Sequence, residues 1–184
     1  VKKVILLHGF GSNPTANWFP WLKNELAKID TELNVLTLPN SRNPRLSEWL
    51  EQLELNLPEV TDEVLLIGHS VGGSTILRYL EKTTQPVKAV FLVATPVKPI
   101  PMAHLHVLDN FLVPDFKFEK IRSNAGHVVA IYAQDDDRVN ITNGRTIRDT
   151  LGADYTELST GGHLNQRSGI LELPILLEKI VPFL

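Results

Sequence analysis

The sequence contains no cysteine, which removes disulfides, thiolate metal sites and a thiol nucleophile together. A thiol-free chain suits a reducing compartment, and the cytoplasm is the expected location. Long apolar runs are missing too: no stretch approaches the 18 or so apolar residues of a membrane helix. The opening segment VKKVILLHGF has a basic start, but its apolar run spans only Val4 to Leu7 and no small-residue cleavage site follows. It reads as a first strand rather than a secretory signal. Charge of one sign is not in excess, since 18 Lys and Arg stand against 21 Asp and Glu for a net −3. No basic stripe is available to neutralise a phosphate backbone, so neither nucleic acid nor membrane is an expected partner. Neither G-x-x-x-x-G-K-[ST] nor G-x-G-x-x-G occurs, which argues against a phosphate loop, and no H-E-x-x-H pair offers metal ligands. Internal repeats, low-complexity tracts and linkers are likewise absent.

What is present is 184 residues, 43% apolar and 21% charged, the balance of one globular domain. Short β-branched and leucine-rich runs alternate with segments of helical period. That alternation predicts an α/β protein, a three-layer α/β/α sandwich around a mainly parallel six-stranded sheet. Strands are expected at 3–8, 34–38, 63–67, 87–94, 127–133 and 154–158. Helices are expected at 18–29, 46–57, 71–82, 140–151 and 170–183. One connection, residues 95–126, is far longer than such links usually are. It is rich in proline and in apolar side chains such as Met102, Leu108 and Phe111. One or two short helices are expected there, forming a cap-like insertion over part of a pocket.

Gly68-His69-Ser70-Val71-Gly72 is a G-x-S-x-G pentapeptide with a strand before it and a helical pattern after it. Such a turn holds its central residue at positive φ and leaves room only for small residues two positions to either side. Gly68 and Gly72 meet that demand. Ser70 is therefore a candidate nucleophile at a helix N-terminus, with the Val71 N–H placed to stabilise an oxyanion. The competing reading is a serine that merely caps the helix.

A serine hydroxyl needs a histidine to take its proton and a carboxylate to fix that histidine's tautomer. A strand at 130–133 runs into Gln134-Asp135-Asp136-Asp137, three adjacent carboxylates that spacing alone does not separate. A later strand ends in Ser159-Thr160-Gly161-Gly162-His163, and His163 is the favoured base over His8, His69, His104, His106 and His127. The order Ser, Asp, His is that of α/β-hydrolases, and all three positions fall at carboxyl ends of strands. After the first strand, His8-Gly9-Phe10-Gly11 supplies the kind of loop that carries a second oxyanion N–H, and Phe10 is the candidate donor.

These features resemble the α/β-hydrolase superfamily, and within it the family of retinoblastoma-binding protein 9 and the YdeN-type serine hydrolases. The resemblance is carried by VILLHGFGSNPTANWFPWLKNEL, GHSVGGSTILRYLE, YAQDDDRVN and GGHLNQRSG, and it spans nearly the whole chain. It implies a version of the fold beginning at the third strand of the full form, with sheet order 2-1-3-4-5-6. It implies Ser70 as nucleophile, His163 as base and, from a D-x-x-V-P setting, Asp136 as acid. Asn140 stands where proline is usual, which leaves Asp135 and Asp137 as alternatives. Retinoblastoma binding through L-x-C-x-E does not carry over to a chain without cysteine. His69, Trp18 and Met102 are the expected substrate-contacting side chains, although Trp18, with Phe19 and Trp21, equally suits the buried face of the first helix. The implied activity is hydrolysis of a small carboxylic ester, amide or thioester through an acyl-enzyme, with no cofactor and a monomer by default. An acyltransferase or thioesterase on the same triad, or a non-catalytic binding protein retaining the fold, are the other readings.

Overall fold

Six short segments, apolar in the centre of the sheet and more polar in the last, satisfy their backbone polar groups by pairing side by side in a fully parallel sheet. The computed structural model describes residues 3–184. The strands are β1 (Lys3–Leu7), β2 (Leu33–Val35), β3 (Val64–His69), β4 (Ala89–Val93), β5 (His127–Ala133) and β6 (Asp154–Leu158). Their order is β2-β1-β3-β4-β5-β6. Central strands such as β3 and β4 are buried along their whole length, because helices cover both faces of a parallel sheet. Alternation along β3 divides the core. Val64 and Leu66 join one apolar cluster with Trp49, Leu53 and Phe111, while Leu65 and Ile67 join another with Trp18, Phe19 and Leu176.

The covering helices are α1 (Phe19–Ala27), α2 (Leu46–Asn56), α3 (Val71–Leu80), α6 (Thr142–Leu151) and α7 (Pro174–Ile180). Between β4 and β5, the long connection contains a 3₁₀ helix (Ala103–Leu108), α4 (Asp109–Leu112) and α5 (Phe118–Asn124). It therefore holds three short helical pieces where one or two were expected. Buried Arg78 of α3 ties this connection down. Its Nε donates to the Phe111 carbonyl at 2.8 Å, its Nη2 donates to the Pro114 carbonyl, and its guanidinium lies 3.8 Å from the Phe116 ring centroid. An ion pair with Glu81 at 3.0 Å balances the charge, as a buried guanidinium requires.

Several element ends shift by one to four residues from expectation, and two of the shifts are instructive. Strand β2 is three residues long and begins one residue earlier, since only Leu33 to Val35 find partners on β1. Helix α7 starts at Pro174 rather than Ile170: Gly169 sits at φ 79°, and proline at the first helical position sets the start because it has no N–H to lose. Among the described residues, no helix is long and apolar enough to cross a membrane.

Candidate active site

The sheet order reverses between β1 and β3, and the loops leaving these two strands meet at the carboxyl edge, where open α/β sheets form ligand clefts. Strand β3 runs without a break into Ser70, whose backbone has φ 53° and ψ −132° before α3 begins at Val71. A non-glycine residue at positive φ is strained and persists only when its surroundings hold it there. Here the Ser70 N–H donates to the Val93 carbonyl at 2.8 Å. The flanking glycines are required by close approach: a Cβ on Gly68 would lie 2.3 Å from the Gly73 Cα, and one on Gly72 would lie 2.3 Å from the Leu7 carbonyl oxygen.

Ser70 Oγ and His163 Nε2 are 2.9 Å apart, and His163 Nδ1 is 2.8 Å from Asp136 Oδ2. The three residues come from turns after β3, β5 and β6, so the sheet brings together groups up to 93 positions apart. Of the three adjacent aspartates, Asp136 is the one that reaches the histidine. Its other oxygen accepts the N–H groups of Arg138 at 2.8 Å and Val139 at 3.0 Å. Asp135 instead accepts the Gly162 N–H at 2.8 Å, holding the loop that carries His163. Burial pushes the Asp136 carboxyl up, but the hydrogen bond and charge of His163 and the two amides outweigh it, so the group is held below the ordinary carboxylate range.

His69 is almost fully buried beside the nucleophile. Its Nε2 donates to the His163 carbonyl at 3.0 Å, while its Nδ1 has no partner among the described residues. Burial, reinforced by the neighbouring His163, lowers its pKa to about 3. The ring is therefore neutral and steadies the backbone of His163. Trp18 does not face the cleft. It is buried with Phe19 against His69, ring centroids 6.0 Å from that imidazole in each case, and its Nε1 donates to the Leu164 carbonyl at 2.9 Å. Met102 borders a neighbouring hollow with Pro101 and Asn143, outside the wall of the Ser70 cleft. The connection does contribute to that wall, through Ile100, Leu105 and Leu108.

Phe10 lies on the wall of the same cleft, and its N–H donates to no protein acceptor among the described residues. Val71 opens α3, where an N–H has no intrahelical acceptor. Neither amide is engaged by a protein acceptor among the described residues. Among the described residues, no three His, Asp or Glu side chains are gathered as a metal site would need. Residues that sequence reasoning passed over are Arg138, Asn165, Gln166 and Arg167, which also border the cleft. Their signal was adjacency, since each lies within four positions of Asp136 or His163.

Comparison with known proteins identifies the family. A family model described as serine hydrolase matches residues 4–180. The chain is 31% identical to the hydrolase-named YdeN of Bacillus subtilis strain 168 over 99% of its own length and 96% of the relative's. The crystal structure of the B. subtilis ydeN gene product superposes with a TM-score of 0.94, covering 100% of this chain and 98% of that one. A YdeN-like protein of Pectobacterium atrosepticum, 15% identical, shares the fold at a TM-score of 0.74 over 98% of this chain and 89% of its own. A strand-borne serine in a strained turn, a histidine in reach of it and a family match over nearly the whole length agree, and the chain belongs to the serine hydrolase family as a YdeN-type α/β-hydrolase.

Proposed function

We propose that the protein hydrolyses small carboxylic esters through an acyl-enzyme on Ser70. The observation that carries this reading is the continuous relay from Ser70 Oγ to His163 at 2.9 Å and from His163 to Asp136 at 2.8 Å. Ser70 Oγ attacks the ester carbonyl and its proton passes to His163 Nε2. The carbonyl oxygen, now negative, takes hydrogen bonds from the Phe10 and Val71 amides, donors that are strongest where water is excluded. Collapse breaks the bond to the alcohol, which leaves with the proton from His163. Water then gives a proton to His163 and attacks the acyl carbon, and Ser70 recovers its proton as the carboxylic acid departs. Asp136 stays ionised throughout and stabilises the imidazolium.

Cleft size supports a small substrate: its volume is about 180 Å³, below the roughly 300–1,000 Å³ of sites for drug-sized ligands. Residues 95–126 act as a short cap whose Ile100, Leu105 and Leu108 hold an apolar stem of the acyl group. Labelling with a fluorophosphonate probe tests the nucleophile. The parent protein should label and Ser70→Ala should not, and equal labelling of the two would overturn the assignment. A panel of p-nitrophenyl esters and thioesters of graded length then ranks acyl preference by kcat/KM.

A further inference from the structure

Among the described residues, the wall of the Ser70 cleft contains no Asp or Glu, but it contains Arg138 and Arg167. Among the described residues, neither guanidinium forms an ion pair or donates a side-chain hydrogen bond; Arg78, Arg145 and Arg148 are each paired with a carboxylate, and Arg42 and Arg45, also without a pair, lie outside this cleft. Three aspartates lie within three positions of Arg138 in sequence, and Asp135 and Asp137 share an adjoining hollow with both arginines. Asp135 is turned to the Gly162 amide and Asp136 to His163. Asp137 forms no ion pair with either arginine among the described residues, so both guanidinium groups keep free N–H groups at the cleft wall.

The amide side chains of the wall point to the same ligand chemistry. Asn13 Oδ1 accepts from the N–H and hydroxyl of Thr15 at 2.9 and 2.8 Å, and Asn165 Oδ1 accepts the Ser168 N–H at 3.0 Å. Asn17 and Gln166 each accept the other's backbone N–H through the side-chain oxygen, both at 3.1 Å. Each of the four carboxamide oxygens already accepts a hydrogen bond, and the NH₂ ends donate to nothing in the protein among the described residues. Ser12 Oγ, also on this wall, is buried with no hydrogen-bond partner among the described residues. The unpaired side-chain groups around Ser70 are therefore mainly donors, with the Ser12 hydroxyl able to donate or accept. An ionised carboxylate only accepts, and guanidinium binds it through two parallel N–H groups.

We propose that this cleft selects esters whose acyl group carries a carboxylate a few bonds from the scissile carbonyl, such as the half-ester of a dicarboxylic acid. The proposal rests on the ester-hydrolase reading above and names its substrate class. Leu105 and Leu108 take the methylene stem, and the Arg138 and Arg167 guanidinium groups with the carboxamide donors take the charged end. The loop is organised in advance of binding, since the Arg138 N–H is fixed on Asp136 and Arg167 lies in the 3₁₀ helix Gln166–Ser168, capped by Asn165.

The test compares mono-p-nitrophenyl glutarate with its neutral isostere, in which an isopropyl group replaces the carboxylate. In the parent, kcat/KM should favour the glutarate by about tenfold at low salt, and the preference should shrink at about 0.5 M salt, where the Debye length is only a few ångströms. Each of Arg138→Gln and Arg167→Gln should lower the glutarate-to-isostere ratio by about threefold, the size of a partly exposed charge contact. Cleavage of the isostere without any preference for glutarate, or a ratio unmoved in the double variant, overturns the proposal and leaves the esterase reading intact. Cleavage of neither ester overturns the esterase reading. The cleft is also tested without catalysis, by calorimetry of free glutarate with Ser70→Ala: binding should weaken when both arginines are replaced, and equal binding would sink the anion site.

Discussion

At the scale of single residues, the environment distinguishes chemically identical neighbours. Asp135, Asp136 and Asp137 have one side chain and three surroundings, and the buried one holds His163 while receiving two backbone amides. Asp136→Asn should therefore lower kcat for a p-nitrophenyl ester by about three to four orders of magnitude, the loss seen when a triad histidine loses the carboxylate that sets its tautomer. Asp135→Asn, which loosens only the Gly162 contact, should lose far less, and initial rates giving equal losses would exclude Asp136 as the acid. His69 supports a prediction about acid. Its folded pKa of about 3 lies below its ordinary 6.5, so the unfolded chain takes up a proton that the folded chain refuses. Its contribution to stability is complete above about pH 6.5 and is lost as the pH falls from there towards 3, by about 1.4 kcal/mol per unit. His8, also lowered by burial, acts in the same sense, and Asp136, held low when folded, loses its contribution as it protonates. Urea midpoints of the parent and His69→Gln at about pH 7 and about pH 4.5 check this. The parent should lose more stability than the variant between the two, and parallel losses would exclude His69 as a source.

At the scale of elements, the turn from β3 to α3 is the least tolerant part of the fold. Its backbone packs against the end of β1 so closely that a methyl on Gly72 would sit 2.3 Å from the Leu7 carbonyl and 2.5 Å from that of His8. Gly72→Ala should destabilise the protein by about 2–4 kcal/mol, because neither contact is to a flexible side-chain end. Gly152 makes the informative contrast. It ends α6 at φ 67° with open space around it, so Gly152→Ala meets only the left-handed backbone penalty of about 1 kcal/mol. Denaturant unfolding of both variants separates steric crowding from backbone preference, and equal losses would refute the distinction. Both boundary differences belong to this scale. Apolar pattern locates a strand, but its ends depend on how much of it finds a neighbour, as β2 shows with three paired residues. The beginning of α7 was signalled locally by Pro174, yet Ile170 to Leu173 carry the same leucine-rich pattern as the helix and mask it.

At the scale of the whole molecule, the sheet separates two apolar cores, with Leu53 in one and Leu176 in the other. Leu53→Ala and Leu176→Ala should each destabilise by about 3 kcal/mol, and the double variant should lose their sum to within about 0.5 kcal/mol, since the sites share no partner. A coupling well above that, measured by urea unfolding, would show that the sheet transmits strain between its faces. By itself the sequence determined the α/β class, the strand count, the Ser70 turn and the order Ser, Asp, His, because these are recorded in short-range signals: apolar period, glycines two positions from the serine, and chain order. The D-x-x-V setting pointed to Asp136 and left Asp135 and Asp137 open, and Trp18 suited either cleft or core. Tertiary structure brought Asp136 to His163, put Trp18 in the core behind His69, set Met102 beside another hollow and left Arg138 and Arg167 without an ion pair among the described residues. Those outcomes depend on which side chains converge from turns far apart in the chain. Short-range pattern carries no information about such convergence, and only the paired register of six parallel strands brings it about.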